Sequence, residues 1–318
     1  MANPNTNTFV SLPNEAQIFY DKYLLKVAEP LCAYRRHASK TSVPKNSGKI
    51  VNWRDFKKFE VNPVPLTEGV VPDGMKFNID KLEAEIKFYG AYAETTDQLQ
   101  LLSIDDTIMA ANKRLGIHAA ESLDFLAGTE FTSGTSVFYA GGKASRGALE
   151  NTSTIAVEDI IKAAQILKAN VAPTIDGSYF CIIHPHVVYD LMTYLNEKGN
   201  NPFIDISKYV EKENIVKGEI GKLFGIRFIE TPNAITTTKD GTSEGMPVYK
   251  TLIYGGEAFG CVDLAGGNLR TIVKALGSAG TADPLDMKAT IGWKAADACK
   301  ILNQDNLIRI ESASTMAV

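Results

Sequence analysis

The stretch Met287-Lys-Ala-Thr-Ile-Gly-Trp-Lys-Ala-Ala-Asp-Ala-Cys-Lys-Ile301 constrains this chain more than any other. Every second residue gives Met287, Ala289, Ile291, Trp293, Ala295, Asp297, Cys299 and Ile301; between them lie Lys288, Thr290, Gly292, Lys294, Ala296, Ala298 and Lys300. The first set is apolar with one break at Asp297, and the second is polar or small. Side chains alternate between the faces of a strand, so the run predicts one half-buried strand of roughly 45 Å at about 3.3 Å per residue. Ordinary strands have about 5–6 residues. After a polar turn at Asn303–Asn306, Ile308 and Ile310 alternate with Arg309 and Glu311 and are expected to fold back beside the run. An elongated, plate-like subunit needs such a strand; a compact enzyme rarely does. Asp297 should either meet a cation on a long helix, Lys113 or Arg114, or mark where the strand leaves its own core for a neighbour's.

That helix is expected from Ser103 to about Gly128, opened by a serine cap and by Asp105 and Asp106 in its first turn. Ile104, Ile108, Ala111, Leu115, His118 or Ala119, Ser122 and Leu126 mark one face. Further helices are predicted over 14–28, over 157–170, and after Pro185, which suits the first position of a helix. Residues 129–152 read as irregular surface. Strands are expected at 179–183 and 248–255. Residues 219–225 read as a helical turn broken at Gly225 before a strand, and 236–247 as a hairpin tip.

Two strand-like segments, Lys49–Phe59 and Met75 to about Ala93, flank the Pro/Gly-rich stretch 61–74 and predict a long hairpin, with a bulge or bend near Asp80-Lys81. A two-stranded hairpin is marginal alone in water, so this one needs a surface to lie on. Residues 22–58 carry ten Lys/Arg (among them Arg35, Arg36, Lys57 and Lys58) against two acids, while the whole chain is −4. The segment is therefore a solvated basic surface, a basic arm lying on the acidic remainder of another copy, or a nucleic-acid contact. The third lacks a basic motif interleaved with aromatics. Residues 29–48 show no periodicity and read as extended arm.

Chemistry has little to stand on. Gly48-Lys49, Gly142-Lys143 and Gly221-Lys222 lack both the preceding glycine and the following Ser/Thr of a phosphate loop. There is no Gly-x-Gly-x-x-Gly or Gly-x-Ser-x-Gly. His184-Pro-His186 has no further ligands at metal-site spacing, nor do His37 and His118, and a turn into a helix explains the pair. Cys32, Cys181, Cys261 and Cys299 are scattered and expected to be reduced, with Cys181 inert inside an apolar strand. No catalytic, cofactor-binding or metal-ligating residue is predicted, and no cofactor. No run approaches the 18 apolar residues of a membrane span, and the start lacks a signal-peptide pattern. The element order is α+β without regular βαβ alternation.

Several blocks carry a resemblance: Tyr20-Asp-Lys-Tyr-Leu-Leu25, Pro44-Lys-Asn-Ser-Gly-Lys49, Pro65-Leu-Thr-Glu-Gly69 with Pro72-Asp-Gly74, Ile183-His-Pro-His-Val-Val-Tyr-Asp-Leu191, Gly218–Thr231, Leu276–Leu285 and Ile291-Gly-Trp-Lys-Ala295. Through them the chain resembles major capsid proteins of tailed bacteriophages with the Hong Kong 97-like fold, in the family typified by the large coliphage with a virion-borne RNA polymerase. The resemblance implies an N-terminal arm (1–46), an extended β-hairpin loop (47–94), a peripheral domain (95–175 and 271–318) built on the spine helix and long strands, and an axial domain (176–270). It implies copies in pentamers and hexamers forming an icosahedral head around double-stranded DNA held without sequence specificity, with no membrane. Some relatives carry a long N-terminal scaffolding segment, whereas about 13 residues precede the first expected helix here, so the scaffold is expected to be a separate protein unless this is a processed form; a portal and, in some cases, a decoration protein are also implied. The chain would be made in the host bacterial cytoplasm and reside in the virion. Some relatives cross-link a loop lysine to a neighbour's asparagine; no local pattern here identifies such a pair. Trp53, Phe56 and Phe59 are the expected apolar anchors under the hairpin, and Arg35, Arg36, Lys57 and Lys58 the expected charged contacts; the alternative is that these residues pack only within their own chain. The alternatives are a nanocompartment shell of the same fold enclosing enzyme cargo, and a soluble α/β enzyme.

Overall fold

The computed structural model describes residues 32–56, 79–102, 107–194, 219–239, 245–278 and 283–316, with positions 59, 63–65, 69, 71 and 74–76 between the first two stretches. In chain order these form β1 (Ser39–Val43), β2 (Ile50–Phe56), β3 (Ile79–Glu85), β4 (Lys87–Thr96), α1 (Asp97–Leu102) and α2 (Thr107–Phe131). Then come β5 (Val137–Tyr139), α3 (Val157–Ala169), β6 (Tyr179–Ile183), α4 (Pro185–Thr193), β7 (Glu219–Leu223), β8 (Ile226–Glu230) and β9 (Thr236–Thr238). The chain ends in β10 (Pro247–Tyr254), β11 (Phe259–Leu264), β12 (Arg270–Lys274), β13 (Lys288–Asp297), β14 (Cys299–Ile301) and β15 (Leu307–Ser312). The expected helix at 14–28, the Ser103 cap with Asp105 and Asp106, and Lys57 and Lys58 lie outside the described residues.

The long alternating run is two strands in line. β13 is the middle strand of a three-stranded sheet, paired with β4 along all ten of its residues and with β12 on the other edge. Ala289, Ile291, Trp293 and Ala295 point inward, and Ile291, Trp293 and Ala295 pack on Leu115, Ala119 and Leu123 of α2. The Trp293 indole Nε1–H donates to His118 Nδ1 at 3.2 Å. At Ala298 the chain leaves this sheet, and β14 joins β11 and β1 in another. The single 15-residue strand is thus corrected to ten residues plus three. The period of two crosses the break intact, so sequence alone does not mark it.

A seven-stranded sheet, ordered β5-β15-β10-β6-β8-β7 with β9 beside β10, holds the larger core. All five residues of β6 are buried because both faces are covered. Cys181 and Ile183 face α3 and α4; Phe180 and Ile182 face Phe131 at the end of α2 and Tyr254. α2 therefore reaches both cores, Leu115 to Leu123 under one sheet and Ala127 and Phe131 under the other. At about 1.5 Å per residue its 25 residues span roughly 37 Å.

Helix α3 closes in a Schellman turn. The Val171 N–H donates to Lys168 O and the Ala172 N–H to Leu167 O, both at 3.0 Å, with Val171 at φ 57°. α4 begins as its sequence requires: His184 is the cap, its Nδ1 accepting from the His186 N–H at 3.1 Å, with Pro185 first in the helix.

Several expectations are corrected. β15 does not fold back beside β13; it pairs antiparallel with β10 and parallel with β5. Residues 219–223 are a strand hairpinned to β8 through Phe224 and Gly225, both at positive φ, and not a helical turn. Residues 39–43 of the expected arm are a strand parallel to β11, and Tyr34 before them is fully buried. Residues 129–152 include β5. The bend in the second hairpin segment falls at Ile86, not at Asp80-Lys81, and there the chain passes from one sheet to another.

Candidate interaction surface

The hairpin β2–β3 is a two-stranded sheet in register from Ile50 opposite Glu85 to Phe56 opposite Ile79. Alternation gives it two unlike faces. Val51, Trp53 and Ala84 turn inward and, with Ile86, pack on Val262 and Ala296. The Trp53 Nε1–H donates to Thr41 Oγ1 at 2.9 Å, and the Ile86 N–H to Lys49 O at 2.8 Å. The base of the hairpin is therefore fastened to its own chain. The other face presents Ile50 and Ile79, 56% and 48% exposed, beside the ion pairs Lys49–Glu85 and Lys81–Glu83. Beyond the described strands, Phe59, Val64, Val71 and Met75 are also exposed. Burying one such side chain fully contributes about 1.5–3 kcal/mol, so together they support an interface of modest strength.

A second apolar area lies on the outer face of β4, where Phe88 and Tyr92 are 62% and 69% exposed. They border a shallow groove of about 320 Å³ with Ile272, Thr290, Gly292 and Lys294, whose ammonium sits 5.0 Å from the Phe88 ring centre. Phe88 also borders a concavity of about 420 Å³ lined by Lys45, Lys49, Ile86 and Leu264.

Of the residues expected to make contacts, Trp53 anchors the hairpin within its own chain, Phe59 is exposed, and the Phe56 side chain lies outside the described residues. Arg36 is half-buried. Arg35 is committed: its Nη1 donates to Asp297 Oδ2 at 2.7 Å, and Asp297 is only 3% exposed. The break in the alternating run thus meets the basic segment, and neither Lys113 nor Arg114. Burial lifts the Asp297 carboxyl above its ordinary range despite the pull of Arg35. Asp124, on the buried face of α2, accepts the backbone N–H groups of Ala33, Tyr34 and Arg35 at 2.9–3.3 Å. Its burial outweighs those bonds and pushes its pKa up to about 6.

One charged cluster had no counterpart among the expectations. Glu311, fully buried in β15, accepts two 2.7 Å bonds from Arg146 and lies 3.0 Å from Arg309 Nε. Burial raises its carboxyl, but Arg146, Arg309 and Lys250 outweigh that and hold it below the usual range. The signal was present as an Arg-x-Glu inside an otherwise apolar strand.

Among the described residues no group of three or more His, Cys, Asp and Glu is placed to hold a metal ion, and no helix is long and apolar enough to cross a membrane. His184 and His186 serve helix α4, with His186 Nδ1 2.8 Å from the Tyr249 hydroxyl. Cys181 is fully buried, and burial raises its thiol.

A sequence model of a phage capsid protein family matches residues 80–298. No curated protein matches the chain. Among solved structures, the capsid of Ralstonia phage GP4 is 15% identical, with TM-score 0.67 over 91% of this chain and 90% of that one. The cyanophage Pam1 capsid is 12% identical, with TM-score 0.65 over 91% and 92%. The virus-like particle from Pyrococcus furiosus is 15% identical, with TM-score 0.55 over 93% and 99%.

Proposed function

The chain belongs to the phage capsid protein family, and from that premise we propose that its copies close into the icosahedral head shell of a tailed phage. It is a structural protein and not an enzyme. The observation that carries the assembly reading is the hairpin β2–β3, fastened at its base and bearing the exposed apolar side chains Ile50 and Ile79 on its other face. In this reading the hairpin lies on a neighbouring copy, residues 1–46 belong to an arm, residues 95–175 with 271–318 form a peripheral domain, and residues 176–270 form an axial domain. Pentamers and hexamers, a separate scaffold, a portal, a decoration protein, and DNA inside, held without sequence specificity, belong to the same proposal. The virion is the site of action.

The test is a paired substitution on the outer face of the hairpin, Ile50→Thr with Ile79→Thr. Both side chains are about half exposed, so unfolding of the isolated subunit should move by no more than about 1 kcal/mol for the pair. Particles seen by negative-stain microscopy in cells expressing the chain with its scaffold should be lost. Particles forming at the wild-type yield would overturn the hairpin's role. A wild-type chain that stays a monomer or dimer at every salt and scaffold concentration would overturn the shell itself. Particles enclosing protein cargo in place of DNA would assign the shell to a nanocompartment.

A further inference from the structure

Cys261 and Cys299 stand directly opposite one another in the antiparallel pair β11–β14. Their Sγ atoms are 2.8 Å apart, inside the roughly 3.5–4 Å at which non-bonded heavy atoms rest. A disulfide places its sulfurs about 2.05 Å apart, so closure needs a sulfur displacement under about 1 Å. The other two cysteines are placed differently. Cys181 lies in the apolar core beneath α3 and α4, and the Cys32 thiol donates to Ala120 O at 3.9 Å.

We propose that Cys261 and Cys299 are a modification site, closing to an intrachain disulfide when the chain meets a low-molecular-weight disulfide oxidant. Cys299 is half-buried and Cys261 buried, so the oxidant reaches Cys299 first. Its thiolate attacks one sulfur of the small disulfide, breaking that S–S bond, and the departing small thiolate takes up a proton. Cys261, giving its proton to solvent, then attacks the Cys299 sulfur and expels the second small thiol. Two protein thiols are oxidised and one small disulfide is reduced to two thiols. The Cys261 thiol, burial and the Asp297 carboxylate 3.7–3.8 Å away all favour the protonated form of Cys299. The exchange is therefore slow at neutral pH and accelerates in alkali. In a reducing cytoplasm the pair stays open; outside the cell it closes. The bond would tie the end of the long β13–β14 run to β11, which carries β1 on its other edge. Fixing the unfolded chain across residues 261–299 raises resistance to unfolding.

The full-length chain, purified under reduction, is incubated with bis(2-hydroxyethyl) disulfide at alkaline pH, alkylated and peptide-mapped, with a urea-unfolded sample as the oxidation control. Two of the four thiols should be lost, and the peptide carrying Cys261 should appear joined to the one carrying Cys299, with no dimer on a non-reducing gel. The urea midpoint should rise in the wild type and stay fixed in Cys299→Ser. Four surviving thiols in the folded chain while the unfolded control oxidises, or linkage through Cys32, Cys181 or a second chain, would overturn the site. Linkage without a rise in midpoint would overturn its fastening role.

Discussion

Replacing Arg35 by alanine tests how the basic segment is fixed to the alternating run. The change removes the guanidinium 2.7 Å from Asp297 and leaves that carboxylate 3% exposed. What remains near it is the Cys299 thiol at 3.7–3.8 Å, a weak donor, and the Ala298 backbone N–H. Stranding a buried charge costs about 3–5 kcal/mol. Asp297 has a cheaper route, which is to take up a proton. From its ordinary value of 3.8, protonation at pH 7 costs at most about 4 kcal/mol at about 1.36 kcal/mol per unit. Burial has already lifted this carboxyl in the intact pair, so part of that cost is present before the substitution. The expected loss at pH 7 is therefore about 2–4 kcal/mol. Its sign with pH follows: removing Arg35 raises a folded-state pKa already above the unfolded one, and such a group is most favourable below the unfolded value and loses stability as pH rises. The penalty should shrink as the pH is lowered from 7 toward 4, by no more than about 1.4 kcal/mol per unit. Urea unfolding of the unassembled subunit, followed by circular dichroism at several pH values, measures both quantities. Adding Asp297→Asn to Arg35→Ala should flatten the dependence. A loss below about 0.5 kcal/mol at pH 7, or one that does not change between pH 7 and 4.5, would refute the reasoning.

Val171 is a β-branched residue, 76% exposed, holding φ 57° at the end of α3. Val171→Gly should therefore stabilise the subunit by about 1 kcal/mol in a urea titration, because the left-handed strain disappears and little burial is lost. At the histidine-capped helix α4, burial and then the neighbouring His186 push the His184 pKa down from 6.5 to about 4. Its contribution is intact above pH 6.5 and is lost as the pH falls toward 4, since only the unfolded chain takes up the proton in that window. His184→Asn, which keeps an N-cap acceptor without a titrating ring, should lose less stability between pH 7 and 4.5 than the wild type.

What was legible in the sequence was local and had one period. Residues 157–169, 179–183 and the Pro185 helix carry their own start and stop chemistry, and the structure has them within a residue or two. The Asp297 break was visible, but its partner was not, because Arg35 is 262 positions away. Glu311 and Arg146, 165 apart, escaped for the same reason. β11 was missed because its first four residues are all buried and leave no alternation to read. The turn at Phe224-Gly225 lacks the Asn-Gly or Asp-Gly signature of its positive φ values, so the strand before it passed for a helix. The pairing of β15 with β10 and β5 is a choice among edges, and its alternation fits any of them. That the hairpin needs a surface to lie on was legible, but not which side chains it offers: Trp53, an expected anchor, packs within its own chain, and the exposed Ile50 and Ile79 carried no distinguishing signal.

The bend at Ile86 bears on how such a hairpin could serve an assembly. β3 belongs to the hairpin, whereas β4, beginning one residue later, is bonded along all ten residues of β13. A pull on the hairpin by a neighbouring copy would reach β4 through Ile86, whose N–H is held by Lys49 O and whose side chain is buried on Val262 and Ala296. From β4 it would spread over a ladder that α2 backs with Leu115, Ala119 and Leu123. A second route runs from Trp53 through Thr41 in β1 to β11 and β14. The two routes rejoin at Asp297, where β13 ends, β14 begins two residues later, and Arg35 is attached. A long strand divided there can carry load from one sheet into another without any single contact bearing all of it, which is what a shell held by many modest interfaces requires of its subunit.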